Sequence, residues 1–320
     1  MDTPRVMDQN DHEKLQCPDF LHGPSFWESS EVKMDDLDYE THLENYKGMF
    51  GYYVDIPDIA KNKILEAAEE EAKHHHAICV FDPLRDLIFA TASLEEKLTN
   101  KNAKYFMLYG AARRANLIFS AYQEIRSIAY EKRAQPLSQD NQVTLSQAIN
   151  NIYIHLLGIL DNFAWCLLYE RQADLADKLH RNDVGLFSTK FRKQLVVFPE
   201  IADEIMVHDS WHKDVKERRD PVAHRIPLYV PPAQLTSDQA EHYSAVSNQY
   251  HDSLKDLRLD EAEQILDQID SIGSFLPYFI HHPEEPHIPI YPTIPADLSH
   301  LIRIGNTVTK GLLPKKNSTT

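Results

Sequence analysis

Apolar positions along the chain fall into two long helical stretches and several shorter ones. From Asn102 to Arg133, Tyr105, Leu108, Ala112, Ala115, Phe119, Tyr122, Ile125 and Ala129 recur at three- and four-residue steps. That spacing draws one apolar stripe down a helix of about nine turns. Gln135-Pro136 ends it, and Asn141 to Arg171 forms a second helix, apolar nearly all round in its C-terminal half. Such a half has to be covered on several sides, and the short proline-containing loop predicts that the two helices lie antiparallel as a hairpin.

The remaining pattern is more broken. Residues 1 to 55 mix proline, glycine, aromatics and acids without a period, as in Pro18-Asp19-Phe20-Leu21-His22-Gly23-Pro24, and read as an irregular acidic arm. Residues 56–100 read as accessory helices: Asp58 to His76 is amphipathic with a Glu-rich outer face, and a shorter helix follows Pro83. A helix is predicted from about Pro199 to Arg219, interrupted by Asp220-Pro221, and the three prolines of Ile226 to Pro232 demand extended backbone. Thr236-x-x-Gln239, preceded by Leu235, is a capping box that opens a helix through about Leu257. Asp260 to Phe279 supplies the last long helix, completing a bundle core over 101–282. Pro283, Pro286, Pro289, Pro292 and Pro295 then repeat every three residues, the period of polyproline II, so 283–320 reads as a stiff strap, a short helix and a polar tail from Lys315 to Thr320.

Composition agrees with a helical fold. Nine glycines in 320 residues disfavour a turn-rich sheet protein, and 42% hydrophobic with 26% charged residues suits a chain that buries a core. Cys17, Cys79 and Cys166 are odd in number and widely spaced, which suggests neither disulfides nor a cysteine zinc site. No secretory leader is visible after Met1-Asp2-Thr3-Pro4. Ile152 to Tyr169 would span a membrane only with His155, Asp161 and Asn162 in the hydrocarbon, so it reads as a buried core helix; the expected location is cytoplasmic, off the membrane.

The net charge of −16 argues against coating nucleic acid non-specifically. Between Lys178 and Arg225, however, ten Lys/Arg face eight Asp/Glu, with four histidines, so any polyanion is expected there. Neither G-x-G-x-x-G, G-x-x-x-x-G-K-[ST] nor G-x-S-x-G occurs, and no cofactor is expected.

The stretch that points to chemistry is Arg219-Asp220-Pro221-Val222-Ala223-His224. In an unbroken helix, residues five apart stand about 140° apart around the axis and about 7.5 Å along it. If Asp220 instead caps a new turn with Pro221 at its first position, Arg219 and His224 both lean over a helix N-terminus, which favours anions. This R-x-x-x-x-H, with a polar residue after the Arg and set late in a helical bundle, resembles the HEPN domain (higher eukaryotes and prokaryotes nucleotide-binding) over roughly residues 100 to 280. The resemblance implies an all-α, four-helix up-down bundle that forms a homodimer with its two motifs facing across a two-fold axis. It also implies, in many members, a metal-independent endoribonuclease of toxin or antiviral-defence systems, with an antitoxin or neighbouring protein as partner. By position, His224 would be the general acid/base, Arg219 would stabilise the phosphorane and Asp220 would orient or cap. Lys216, Arg218 and Arg225 are the candidate RNA-binding residues around them.

Two alternatives stay open. The same residues would serve a non-catalytic binding or interaction protein by holding an anion or a loop. His208-Asp209-x-x-His212 has the i, i+4 spacing of H-E-x-x-H zinc enzymes, which would make a metal-dependent hydrolase; Asp for Glu shortens the reach to a metal-bound water. His74-His75-His76 fan around a helix and read as its polar end, while Trp165 and Trp211 read as core or interface anchors. Asp161 and Asn162, inside the most apolar helix, need partners and are candidates to face the Arg/His site.

Overall fold

The computed structural model describes residues 80–313, apart from 131–132, 177, 195–198 and 283–286. The N-terminal arm, the Asp58–His76 helix with its three histidines, Pro283, Pro286 and the polar tail lie outside the described residues, and so does the side chain of His224. The described chain is mostly helical, with a single two-stranded sheet.

Helix α1 (Asp82–Leu94) carries Pro83 in its first turn and buries Leu84, Leu87, Thr91 and Leu94. Asn100 then caps α2 (Lys101–Tyr105), its side chain accepting from the amides of Asn102 and Ala103 at 2.8 and 3.2 Å. The chain continues without a break through a π-helical segment (Phe106–Ala112) into α3 (Arg113–Ile128). This rod is the first long helix read from the sequence, with one difference. A π turn holds an extra residue, which rotates the stripe by about 100°. Ala103, Met107 and Ala111 are buried before the shift and Ala115, Ile118, Tyr122 and Ile125 after it, while Tyr105 turns out to solvent. The rod stops at Ile128 rather than Arg133, because the Arg133 guanidinium folds back to donate to the carbonyls of Ile128, Gln135 and Pro136 at 3.0–3.2 Å.

Helix α4 (Gln139–Arg171), capped by Ser138, is the axis of the molecule. Its length of about 50 Å suits a membrane span by size alone, and it is the one described helix long and apolar enough to qualify. It is spent inside the protein: the rod, α8 and α11 pack against it, and 56% of its most apolar window is buried. The two-helix hairpin expected from the sequence is present as the rod against α4.

Short elements come next: α5 (Ala173–Ala176), a 3-10 turn (Arg181–Asp183), α6 (Thr189–Gln194), α7 (Pro199–Met206) and α8 (Asp209–His224). The segment after α8 is extended, as its prolines require, and is held by the side chains of α4. Leu228 donates its amide to Asn150 Oδ1 at 2.9 Å, and Asn150 Nδ2 donates to the Leu228 carbonyl at 2.8 Å. Val230 donates to Ser146 Oγ at 3.1 Å, and Gln142 Nε2 donates to the Val230 carbonyl at 3.1 Å. The capping box opens α9 (Ser237–Lys255) as the sequence predicts, with both bonds made.

Two expectations for the rest are corrected. Helix α9 and α10 (Leu259–Ile269) pack chiefly on each other around Val246, Ile265 and Ile272 and do not complete the central bundle. Helix α10 ends ten residues early, its last turn closed by the Asp270 amide donating to the Leu266 carbonyl at 2.9 Å, and Gly273, at φ +101 against the Gln234 carbonyl, precedes β1 (Tyr278–Phe279), antiparallel to β2 (Ile288–Pro289). The proline repeat does not run on as a strap either. Pro289 lies in β2, and Pro292 and Pro295 lie at the start of α11 (Ile290–Leu312), whose backbone is non-helical at Tyr291. Prolines cost little in a first turn, whose amides have no helical partner. Beyond them α11 is a long buried helix: Ile294, Leu298, Leu301, Ile304, Val308 and Leu312 face α1, α4 and α7.

Candidate functional site

The sequence predicts a helix break at Pro221, and the backbone corrects it. Helix α8 runs through Pro221 to His224 and closes with the Arg225 amide donating to the Pro221 carbonyl at 2.7 Å. Lacking an amide hydrogen, Pro221 leaves the carbonyl of position 217 without its ladder donor, and the helix runs on past it. Asp220 therefore caps no helix N-terminus; that place belongs to His208. Positions 219 and 224 diverge by about 140° on one continuous helix.

Consecutive arginines on α8 go to opposite fates. Arg218, expected to bind RNA, is turned inward, where its Nη1 meets Asp297 Oδ2 at 2.8 Å. The same buried carboxylate accepts from Tyr153 Oη and Trp211 Nε1, both at 2.9 Å, so one aspartate ties α4, α8 and α11 together. Burial works to lower the Arg218 pKa, but Asp297, Tyr153 and Asp214 together more than offset it and keep the guanidinium charged; burial, then Asp297, raise the Tyr153 phenol well above its ordinary range. Lys216 and Arg225 are exposed.

Arg219 faces the other way. It is one-third exposed, pairs with Asp220 at 3.2 Å through Nη1, and its Nε is buried without a partner among the described residues. Its charge acts on Asp161 of α4, as do the charges of Arg114 of α3 and Arg181 of the 3-10 turn. Asp161 is open to solvent, yet surrounding protein partly desolvates its carboxyl group and raises its pKa, and the three arginines pull it part of the way back. Asn162 makes the ordinary bond of a partly buried amide, donating to the Gly158 carbonyl at 2.6 Å.

Two glycines bring the rod close to α4 here. A Cβ on Gly110 would sit 2.4 Å from Asn162 Oδ1, and one on Gly158 would sit 2.5 Å from the Arg114 guanidinium. Arg114 lies in that space and reaches His155 Nδ1 at 3.0 Å. His155 has a lowered pKa, from burial and then from Arg114, so near neutral pH it is an unprotonated acceptor. The result is a site of three arginines, one neutral imidazole and one carboxylate, drawn from α3, α4, the 3-10 turn and α8.

The zinc-like pair is arranged for other ends. His208 is buried, its Nδ1 2.7 Å from His300 Nδ1 on α11, while His212 stacks on Phe187 at 4.0 Å between ring centroids. Asp209 between them is held by both terminal nitrogens of Arg192, one at 2.7 Å. Among the described residues, no three His, Cys, Asp or Glu side chains group so as to hold a metal ion.

No protein-family model, curated protein or solved structure matches this chain. The site is therefore read from its own geometry. Arg114, His155 and Arg181 escaped sequence reasoning, since each is an ordinary surface-type residue on a helix or turn. The available signal was the pair Gly110 and Gly158: glycine within strongly helical stretches marks close approach.

Proposed function

We propose that this chain is a HEPN-like helical protein that acts on RNA where α8 crosses α4. The observation that carries the reading is that the charges of Arg114, Arg181 and Arg219 all act on one carboxylate, Asp161, in an otherwise strongly acidic chain. Successive phosphodiesters of RNA carry one negative charge each, so a short run of them matches three guanidinium groups, and arginine suits them by offering paired donors. Arg219 keeps an unsatisfied Nε beside that spot.

In the catalytic form of this reading, His224 takes the proton of a ribose 2′-OH as the oxygen attacks the adjacent phosphorus. The 5′-oxygen leaves with a proton, giving a 2′,3′-cyclic phosphate and a 5′-hydroxyl end. Arg219 offsets the charge growing on the non-bridging oxygens. Because positions 219 and 224 diverge on one helix, the imidazole and guanidinium that meet one phosphate come from two copies related by a two-fold axis, in a cytoplasmic homodimer.

The divergence and the Arg219–Asp220 pair equally favour a second reading, an RNA-binding protein without cleavage. The test is incubation of the full chain with RNA in excess EDTA, with His224→Ala and Arg219→Ala alongside. Cleavage that His224→Ala abolishes while circular dichroism stays unchanged supports the catalytic form. Binding without cleavage leaves the second reading. An Arg219→Ala chain that binds RNA as well as the parent removes both.

A further inference from the structure

One turn from Gly110, the face of the rod that meets α4 changes from guanidinium groups to rings. Phe106 lies near-parallel to Trp165 and to Tyr169, with centroids 5.6 and 5.7 Å apart, and Trp165 and Tyr169 are 5.7 Å apart. Beside them, Tyr105 and Tyr109 pack at 5.5 Å and are 60% and 49% exposed. Arg113 lies over the Tyr109 ring at 4.6 Å from its centroid. Single exposed aromatics are common on any protein, but five rings on one patch are not.

The patch exists because of the π segment. Its extra residue turns Tyr105 and Tyr109 to solvent, where an unshifted helix would have buried position 105 with the apolar stripe. Glu170, next to Tyr169 in the chain, is occupied: its carboxylate accepts from the Thr99 amide and hydroxyl and from the Asn100 amide at 2.9–3.0 Å, closing the loop before α2.

We propose that these rings are a stacking ledge for unpaired bases of single-stranded RNA, whose backbone continues onto Arg113, Arg114 and the arginines around Asp161. This rests on the RNA reading above. Rings accept any base face, and cations alongside hold the phosphates, the combination that binds single strands without sequence choice. From Phe106 to Arg114 the rod advances about 12 Å, room for about three stacked nucleotides. The run of guanidinium groups leading from the ledge favours a polyanion over a second copy of this acidic chain.

The experiment measures binding of a fluorescein-labelled eight-nucleotide RNA of mixed sequence, and of an abasic strand with the same phosphates, to the full chain and to Tyr105→Ala/Tyr109→Ala. Loss of two base–ring contacts is expected to weaken RNA binding roughly thirtyfold. The abasic strand, which loses every base–ring contact, is expected to bind the parent at least as weakly as RNA binds the variant, and to ignore the substitution. Arg219→Ala is expected to weaken both strands. Equal binding of RNA by parent and variant, or of RNA and abasic strand by the parent, overturns the ledge alone. A variant that binds RNA normally but loses a dimer in sedimentation does the same and assigns the face to a second copy. A parent that binds neither strand overturns the RNA reading, and the ledge with it.

Discussion

Helix α8 sets two arginine–carboxylate centres side by side, one sealed and one open. Arg218 is largely covered and Asp297 is buried, and every oxygen of that carboxylate has a named donor on another helix. Arg219, the next residue, is one-third exposed and shares the neighbourhood of Asp161 with two further arginines. The difference teaches that position on the helix, more than residue type, decides what an arginine does. Successive residues are about 100° apart, so one guanidinium is spent holding helices and its neighbour is left for a ligand.

The contrast predicts effects of very different size. Asp297→Ala strands the Arg218 charge in the core and is expected to cost about 3–5 kcal/mol of stability, read as a shift in the urea midpoint. Asp161→Asn is expected to move stability by no more than about 0.5 kcal/mol. Equal losses from the two would erase the distinction. Next in size, Gly110→Ala drives a methyl group into the short Asn162 side chain and is expected to cost about 1–3 kcal/mol. Gly158→Ala meets only the flexible end of Arg114, so it is expected to spare stability and weaken RNA binding by displacing that guanidinium.

A separate effect is in pH. Burial, then Lys216, depress the His212 pKa from 6.5 to about 4, and burial, then Arg303, lower that of His208. Each histidine therefore takes up a proton more readily when unfolded. Stability is complete above about pH 6.5 and drains as pH falls towards 4. His212→Gln is expected to flatten that slope in melts across this range, and an unchanged slope would assign the acid sensitivity to other groups.

Much of the helical framework was legible in the sequence, because long apolar stripes and the Thr236–Gln239 capping box are local signals. The hairpin of the rod on α4 follows from stripe and loop alone. What failed was decided by tertiary packing. Pro221 looked like a break, but α8 runs on through it to His224. The prolines at 292 and 295 looked like a strap, but begin a buried helix that takes the place in the core expected for α9 and α10. Arg218 looked like a surface cation because its partner, Asp297, is 79 residues away. At the candidate site, Arg219 and Asp220 came from one short stretch, while Arg114, His155 and Arg181 are brought in by the fold, and no spacing rule joins them.

The three polar side chains one turn apart on α4, Gln142, Ser146 and Asn150, act as a surrogate strand for the chain leaving α8. The amides of Leu228 and Val230 thereby borrow the opening free energy of the most deeply set helix. In deuterium they are expected to exchange as slowly as the centre of α4, although they belong to an irregular proline-rich stretch. The clamp also fixes the exit of α8 only four residues past position 224, so the end of that helix is pinned from both sides.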